Sequence, residues 1–133
     1  GTRMSVGVLL LTHSGVGPSL LGTARGIVGP LPLKTAAVEA GFGEGPEQVL
    51  IRASAAMREL ETGAGVLVLT DVYGATPSNV AAKLANLGGR VRRVAGVNLP
   101  MLLRVMNYAE QSLDELVNTA TAGARNGVIV DHA

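Results

Sequence analysis

The 133-residue chain contains no cysteine and no tryptophan, and its aromatic residues are one Phe and two Tyr. Without cysteine there can be no disulfide, no thiolate metal site and no cysteine nucleophile, and the composition fits a reducing compartment. The scarcity of aromatic rings removes the stacking platform used to bind single-stranded nucleic acid. Charge is scarce too. Eleven basic and ten acidic residues leave a net +1, so no extended field is available for DNA, RNA or an anionic membrane surface. The apolar run at residues 6–11 is far shorter than the ~20 residues of a membrane span, and no small-residue cleavage site follows it. Hydrophobic residues nevertheless make up 47% of the chain, which excludes intrinsic disorder. The length fits one domain over 1–133, with Gly1, Thr2 and Arg3 preceding a natural start at Met4.

Short runs of Val, Leu and Ala alternate with longer helical segments, and Gly and Pro mark the boundaries. The runs at 5–12, 33–40, 64–70 and 91–97 read as strands, with a short fifth at 127–131. Those at 5–12 and 64–70 are continuously apolar, the pattern of parallel strands buried on both faces. Pro18, Pro46, Pro77 and Pro100 are placed to open helices, with Thr76 as the N-cap before Pro77. Ser112 and Glu115 form a capping box for a last helix reaching Arg125. Such alternation predicts an α/β domain with an open, doubly wound, mostly parallel sheet in the flavodoxin-like order 2-1-3-4. In that order the site lies beyond the carboxyl ends of the first and third strands, where His13 and Asp71 stand, with Asn98 at the end of the fourth.

The loops exclude several chemistries. The first has no lysine for a Walker A motif, Leu20 stands where a dinucleotide fingerprint needs its third glycine after Gly15 and Gly17, and no Gly-x-Ser-x-Gly elbow exists. Of two histidines, His132 reads as solvated, and Glu39, Glu44 and Glu47 are too scattered to suggest more than a polar rim, so no metal site is expected. The segment 41–45 reads as a mobile loop that could gate the rim, and Met101, Leu102, Val105 and Met106 as core or subunit interface. His13 remains, either as a hydrogen-bonded structural residue or as a nucleophile. An aspartate beside it would fix the tautomer and leave the second ring nitrogen neutral and exposed. Backbone N–H groups of the glycine loops around it favour an anion such as phosphate.

Three segments then carry a resemblance: Leu10-Leu11-Thr12-His13-Ser14-Gly15, Leu69-Thr70-Asp71-Val72-Tyr73-Gly74-Ala75-Thr76-Pro77-Ser78-Asn79 and Gly96-Val97-Asn98-Leu99-Pro100-Met101-Leu102. In their order and spacing the chain resembles the IIA component of the mannose family of the bacterial phosphoenolpyruvate-dependent sugar phosphotransferase system. The resemblance implies a stand-alone cytoplasmic IIA domain, a phosphotransferase that needs no cofactor. In it His13 would accept a phosphoryl group from phosphorylated HPr and pass it to a IIB protein, with Asp71 orienting His13. Ser14, Gly15, Gly74, Ala75 and Thr76 would cradle the phosphate, with Tyr73 and Asn98 on the rim. It also implies a homodimer in which the strand at 127–131 is exchanged, and contact with the membrane only through permease subunits. Ala75 and Thr76 depart from the family's more frequent Gly-Ser, and Ser14 from a frequent Gly. The phosphotransfer subunit of dihydroxyacetone kinase, a purely regulatory sensor of phosphorylation state and a silent nucleotide-binding domain remain alternatives. The sugar is not written in this chain.

Overall fold

The computed structural model describes residues 4–132; Gly1, Thr2 and Arg3, expected to precede a natural start at Met4, lie outside them. Among the described residues nine elements occur in the order β1 (Gly7–His13), α1 (Val16–Val28), β2 (Thr35–Ala40), α2 (Pro46–Leu60), β3 (Val66–Thr70), α3 (Thr76–Ala85), β4 (Val91–Ala95), α4 (Leu99–Asn107) and α5 (Leu113–Asn126). The strands form one sheet in the order β2-β1-β3-β4, every neighbouring pair parallel. This is the doubly wound arrangement the sequence pattern anticipates.

The apolar strands explain why both faces are covered. Side chains alternate along β1, so Val8 and Leu10 enter one core while Leu9 and Leu11 enter the other. Leu67 and Leu69 of β3 join the first, Val66 and Val68 the second. Buried residues of α1, α4 and α5 complete the first core, among them Leu21, Met101, Leu102, Val105, Met106 and Leu116, which assigns the methionine-rich helix to the interior. On the opposite face Val49 and Ala53 of α2 and Val80 and Leu84 of α3 close the second core. Fully buried Leu and Val side chains each contribute about 1.5–3 kcal/mol, so this aliphatic interior needs no large aromatic.

The ends of elements show where the sequence expectations need correction. Residues 127–131 form no strand in the described chain. They have no sheet neighbour there, and Val128, Ile129 and Val130 are exposed. Thr76 is not a cap but the first residue of α3. Ala75 keeps an extended backbone (φ −87°, ψ 177°) and its carbonyl accepts the first helical bond from Asn79, so Pro77 is the second helical residue. Asn98 caps α4 in the same pattern, two residues before Pro100, with its side chain accepting from the Met101 N–H at 2.9 Å. The Ser112–Glu115 capping box is present in both directions, at 3.2 and 2.9 Å.

Candidate functional site

Strand order reverses between β1 and β3, so the loops leaving these two strands diverge and open a crevice at their carboxyl ends. The last paired residues are Leu11 and Thr70, which leaves Thr12 and Asp71 as the next residues on each strand. Asp71 turns back onto β1. Its Oδ2 accepts the backbone N–H of His13 at 3.0 Å and lies 2.9 Å from His13 Nδ1, while Oδ1 accepts the Val72 N–H at 3.0 Å. Burial opposes a charge on Asp71, but these donors outweigh it and hold the carboxyl below its ordinary value. An ionised carboxylate can only accept, so Nδ1 carries a proton, and in the neutral ring the lone pair is on Nε2. The His13 side chain is 27% exposed, enough for a partner to reach it, whereas that of Asp71 is only 11% exposed.

Thr12, which stands in the first resembling segment but is given no role by sequence reasoning, organises the turn beneath the histidine. Fully buried, it donates from Oγ1 to the His13 carbonyl at 2.8 Å and accepts the Gly17 N–H at 2.9 Å. A Cβ on Gly17 would approach that oxygen to 3.1 Å, and Gly15 caps α1 in the left-handed region at φ +87°. Glycine at both positions lets α1 start directly behind the histidine. The Gly15 N–H donates to Glu39 Oε1 at 2.6 Å, so the positive end of α1 is occupied by a carboxylate of this chain.

The remaining candidates divide. Ser14 is exposed in the turn between His13 and α1, while Gly74, Ala75 and Thr76 enter α3 just beyond Asp71, Gly74 at φ +88°. Tyr73 projects into solvent on the same loop. Asn98 is engaged elsewhere. Besides capping α4, its Nδ2 donates to the Ala124 carbonyl in α5 at 3.4 Å, and no hydrogen bond joins it to His13 or Asp71. His132 is exposed at the far end of the chain. Glu39 and Glu44 are both engaged, the second in a bidentate pair with Arg52, and no group of three or more His, Cys, Asp or Glu among the described residues is placed to hold a metal. Sequence reasoning missed Phe42. Its ring stacks on His13, with centroids 5.5 Å apart and planes 22° from parallel.

Comparison with known proteins converges on one family. The model of the EIIA-man family, described as "PTS system fructose IIA component", matches residues 7–121. The mannose-specific EIIAB component of the phosphotransferase system of Escherichia coli (strain K12) is 31% identical over 127 residues, covering 94% of this chain and 39% of that protein. The fructose-specific EIIA component of Bacillus subtilis (strain 168) is 36% identical over 81 residues, 60% of this chain and 56% of that one. The chain thus spans well under two thirds of the length of these relatives. Among solved structures, the mannose/sorbose specific IIA subunit from Enterococcus faecalis superposes with a TM-score of 0.88 at 27% identity, covering 98% of this chain and 97% of that one.

Proposed function

The chain belongs to the mannose-type IIA components of the bacterial phosphotransferase system, and we propose that His13 Nε2 is its phosphoryl acceptor. The observation that supports this reading is the contact of Nδ1 with Asp71 at 2.9 Å: with the carboxylate accepting from Nδ1–H, the neutral ring offers its lone pair at Nε2. The Nε2 lone pair attacks phosphorus, an N–P bond forms, and the bond to the donor atom of phosphorylated HPr breaks with its electron pair leaving on HPr. Positive character develops on the imidazole as this happens, and the Asp71 carboxylate is already in place to stabilise it without reorganisation. Reversal of these steps toward a IIB protein returns the ring to its starting state, so the subunit is a carrier. No cofactor is required.

Phosphate would meet the turn at Ser14 and Gly15 and the entry to α3 at Gly74, Ala75 and Thr76. For the Gly15 N–H to serve it, the Glu39 carboxylate must give way. The subunit would act at the cytoplasmic face of permease components, as a homodimer whose 127–131 segments add to the partner's sheet. Val128, Ile129 and Val130 lie exposed in the single chain, and an added strand would cover them. A purely regulatory role and the dihydroxyacetone-kinase pathway would use the same histidine; the kinase subunit would differ in the acceptor, and the regulatory carrier would signal its phosphorylation state to a bound partner without feeding a permease. The test is incubation with phosphoenolpyruvate, enzyme I and HPr, read by intact mass. The parent should gain one phosphoryl group in an acid-labile, base-stable form and His13→Ala none. Labelling of His132 or of a serine would remove the assignment.

A further inference from the structure

Phe42 is 83% exposed, yet its ring lies against His13. Water gives an exposed aromatic ring little reason to stay on one side chain, so its position must come from the backbone, and this backbone is tied down at several points. The Gly41 N–H donates to Glu44 Oε1 at 3.0 Å, the Glu44 N–H donates to the Gly41 carbonyl at 3.0 Å, and Gly43 supplies a left-handed φ of +84° that closes the turn. Arg52 reaches over from α2. Its two terminal nitrogens take both Glu44 oxygens, the Nη2 to Oε1 distance being 2.9 Å, and Nη2 also donates to the Glu39 carbonyl at 2.7 Å. One guanidinium therefore joins the end of β2 to the residue that ends the turn, and Phe42 is at the tip between them. Planar bidentate pairing of this kind fixes direction as well as distance. The pair keeps the Glu44 carboxyl charged, down to about 2, through the Arg52 hydrogen bonds first and the Gly41 N–H second.

We propose that Phe42 is a positioning residue for phosphoryl transfer at His13, seated by the Arg52–Glu44 pair. Asp71 fixes one edge of the imidazole, and the Phe42 ring stacks beside it with centroids 5.5 Å apart. Together they hold the ring plane, and therefore the Nε2 lone pair, in one direction toward the incoming phosphorus. The aromatic face also lies beside a ring that gains positive character as the N–P bond forms, an interaction stronger in the transition state than before it. This inference rests on His13 being the acceptor.

The test compares Phe42→Leu, Phe42→Tyr, Arg52→Gln and the double variant Phe42→Leu/Arg52→Gln with the parent. Two measurements are made: single-turnover transfer from phosphorylated HPr across a range of HPr concentrations, and NMR shifts of the His13 ring protons without any donor. Phe42→Leu should lower the transfer rate at saturating HPr roughly 2- to 5-fold, leave half-saturation nearly unchanged and move the His13 ring protons as the ring current is lost. Phe42→Tyr should restore both. Arg52→Gln should lose rate and ring-current shift in the same sense, and the double variant should be no slower than Phe42→Leu, because both changes act through one contact. An unchanged saturating rate overturns the proposal, and one accompanied by a raised half-saturation makes Phe42 a docking contact instead. Unmoved His13 ring protons also overturn it, since the rings would then not be in contact. If the parent itself takes up no phosphoryl group, the failure belongs to the reading of His13; if the parent is labelled and the variants keep pace with it, only the role of Phe42 falls.

Discussion

Replacing Asp71 by Asn keeps size and shape while removing the charge, and the surrounding donors determine the consequences. The carboxylate receives the His13 N–H at 3.0 Å, His13 Nδ1 at 2.9 Å and the Val72 N–H at 3.0 Å. An amide offers one accepting oxygen and one donating nitrogen. If the oxygen stays with His13, the NH2 faces the Val72 N–H; if the amide flips, it faces both donors of His13. Val72 is largely exposed, so the first orientation lets water solvate its amide and is the one the variant should adopt. The stability cost is then at the lower end of the range for an unsatisfied donor, about 1 kcal/mol, or a few degrees in Tm. The transfer step loses more. Asp71 sits with its side chain only 11% exposed, where water screens its charge poorly, and losing preorganised stabilisation of the developing imidazolium should cost about 3 kcal/mol, roughly a hundredfold in rate. Single-turnover transfer from phosphorylated HPr and thermal melts on the same preparations separate the two effects. A variant that melts lower but transfers phosphate at the parent rate would refute the reasoning, because Asp71 would then be a hydrogen-bonding brace for β1 and nothing more.

Thr12→Val preserves volume but orphans the buried Gly17 N–H; calorimetry should show a loss of about 1–3 kcal/mol, with slower transfer because the start of α1 behind His13 shifts. Asp71, held below its ordinary 3.8, and Glu44, held at about 2 against 4.5, both bind protons more weakly folded than unfolded. Their stabilisation is therefore present above those ordinary values and lost as pH falls through the folded ones. Tm should decline below about pH 4.5, less steeply in Glu44→Gln; parallel Tm–pH curves for parent and variant would count against the Glu44 contribution. Ending the chain after Arg125 should convert a dimer to monomer by light scattering, and an unchanged mass would place the interface elsewhere.

How far the sequence discloses this molecule depends on the range of the interaction concerned. The continuous apolar runs around Leu9 to Leu11 and Val66 to Leu69 announce buried parallel strands because burial on both faces leaves no polar position to alternate. Strand order comes from the crossover rule, and with it the meeting of His13 and Asp71 from distant parts of the chain. Ser112 and Glu115 are legible because a capping box is local. Thr76 misleads because proline is accepted at either of the first two helical positions, and only the backbone of Ala75 decides which. Asn98 stands at a strand end, as the rim residues do, but spends its oxygen on the Met101 N–H. The segment 127–131 carries a strand's residues without a strand's neighbour, and pairing cannot be read from one chain alone. Phe42 is invisible for a different reason: its contact with His13 depends on Arg52, Glu44 and a glycine turn acting together, and no local pattern encodes that.

Everything proposed for the site turns on which nitrogen of His13 takes the phosphoryl group. Long-range proton–nitrogen correlation NMR on the uniformly nitrogen-15-labelled, phosphorylated protein, with the direct phosphorus–nitrogen coupling retained, identifies that nitrogen. Because Asp71 holds Nδ1 at 2.9 Å, phosphorus should be found on Nε2 alone, with Nδ1 still protonated; phosphorus on Nδ1 would contradict the geometry from which the function is argued.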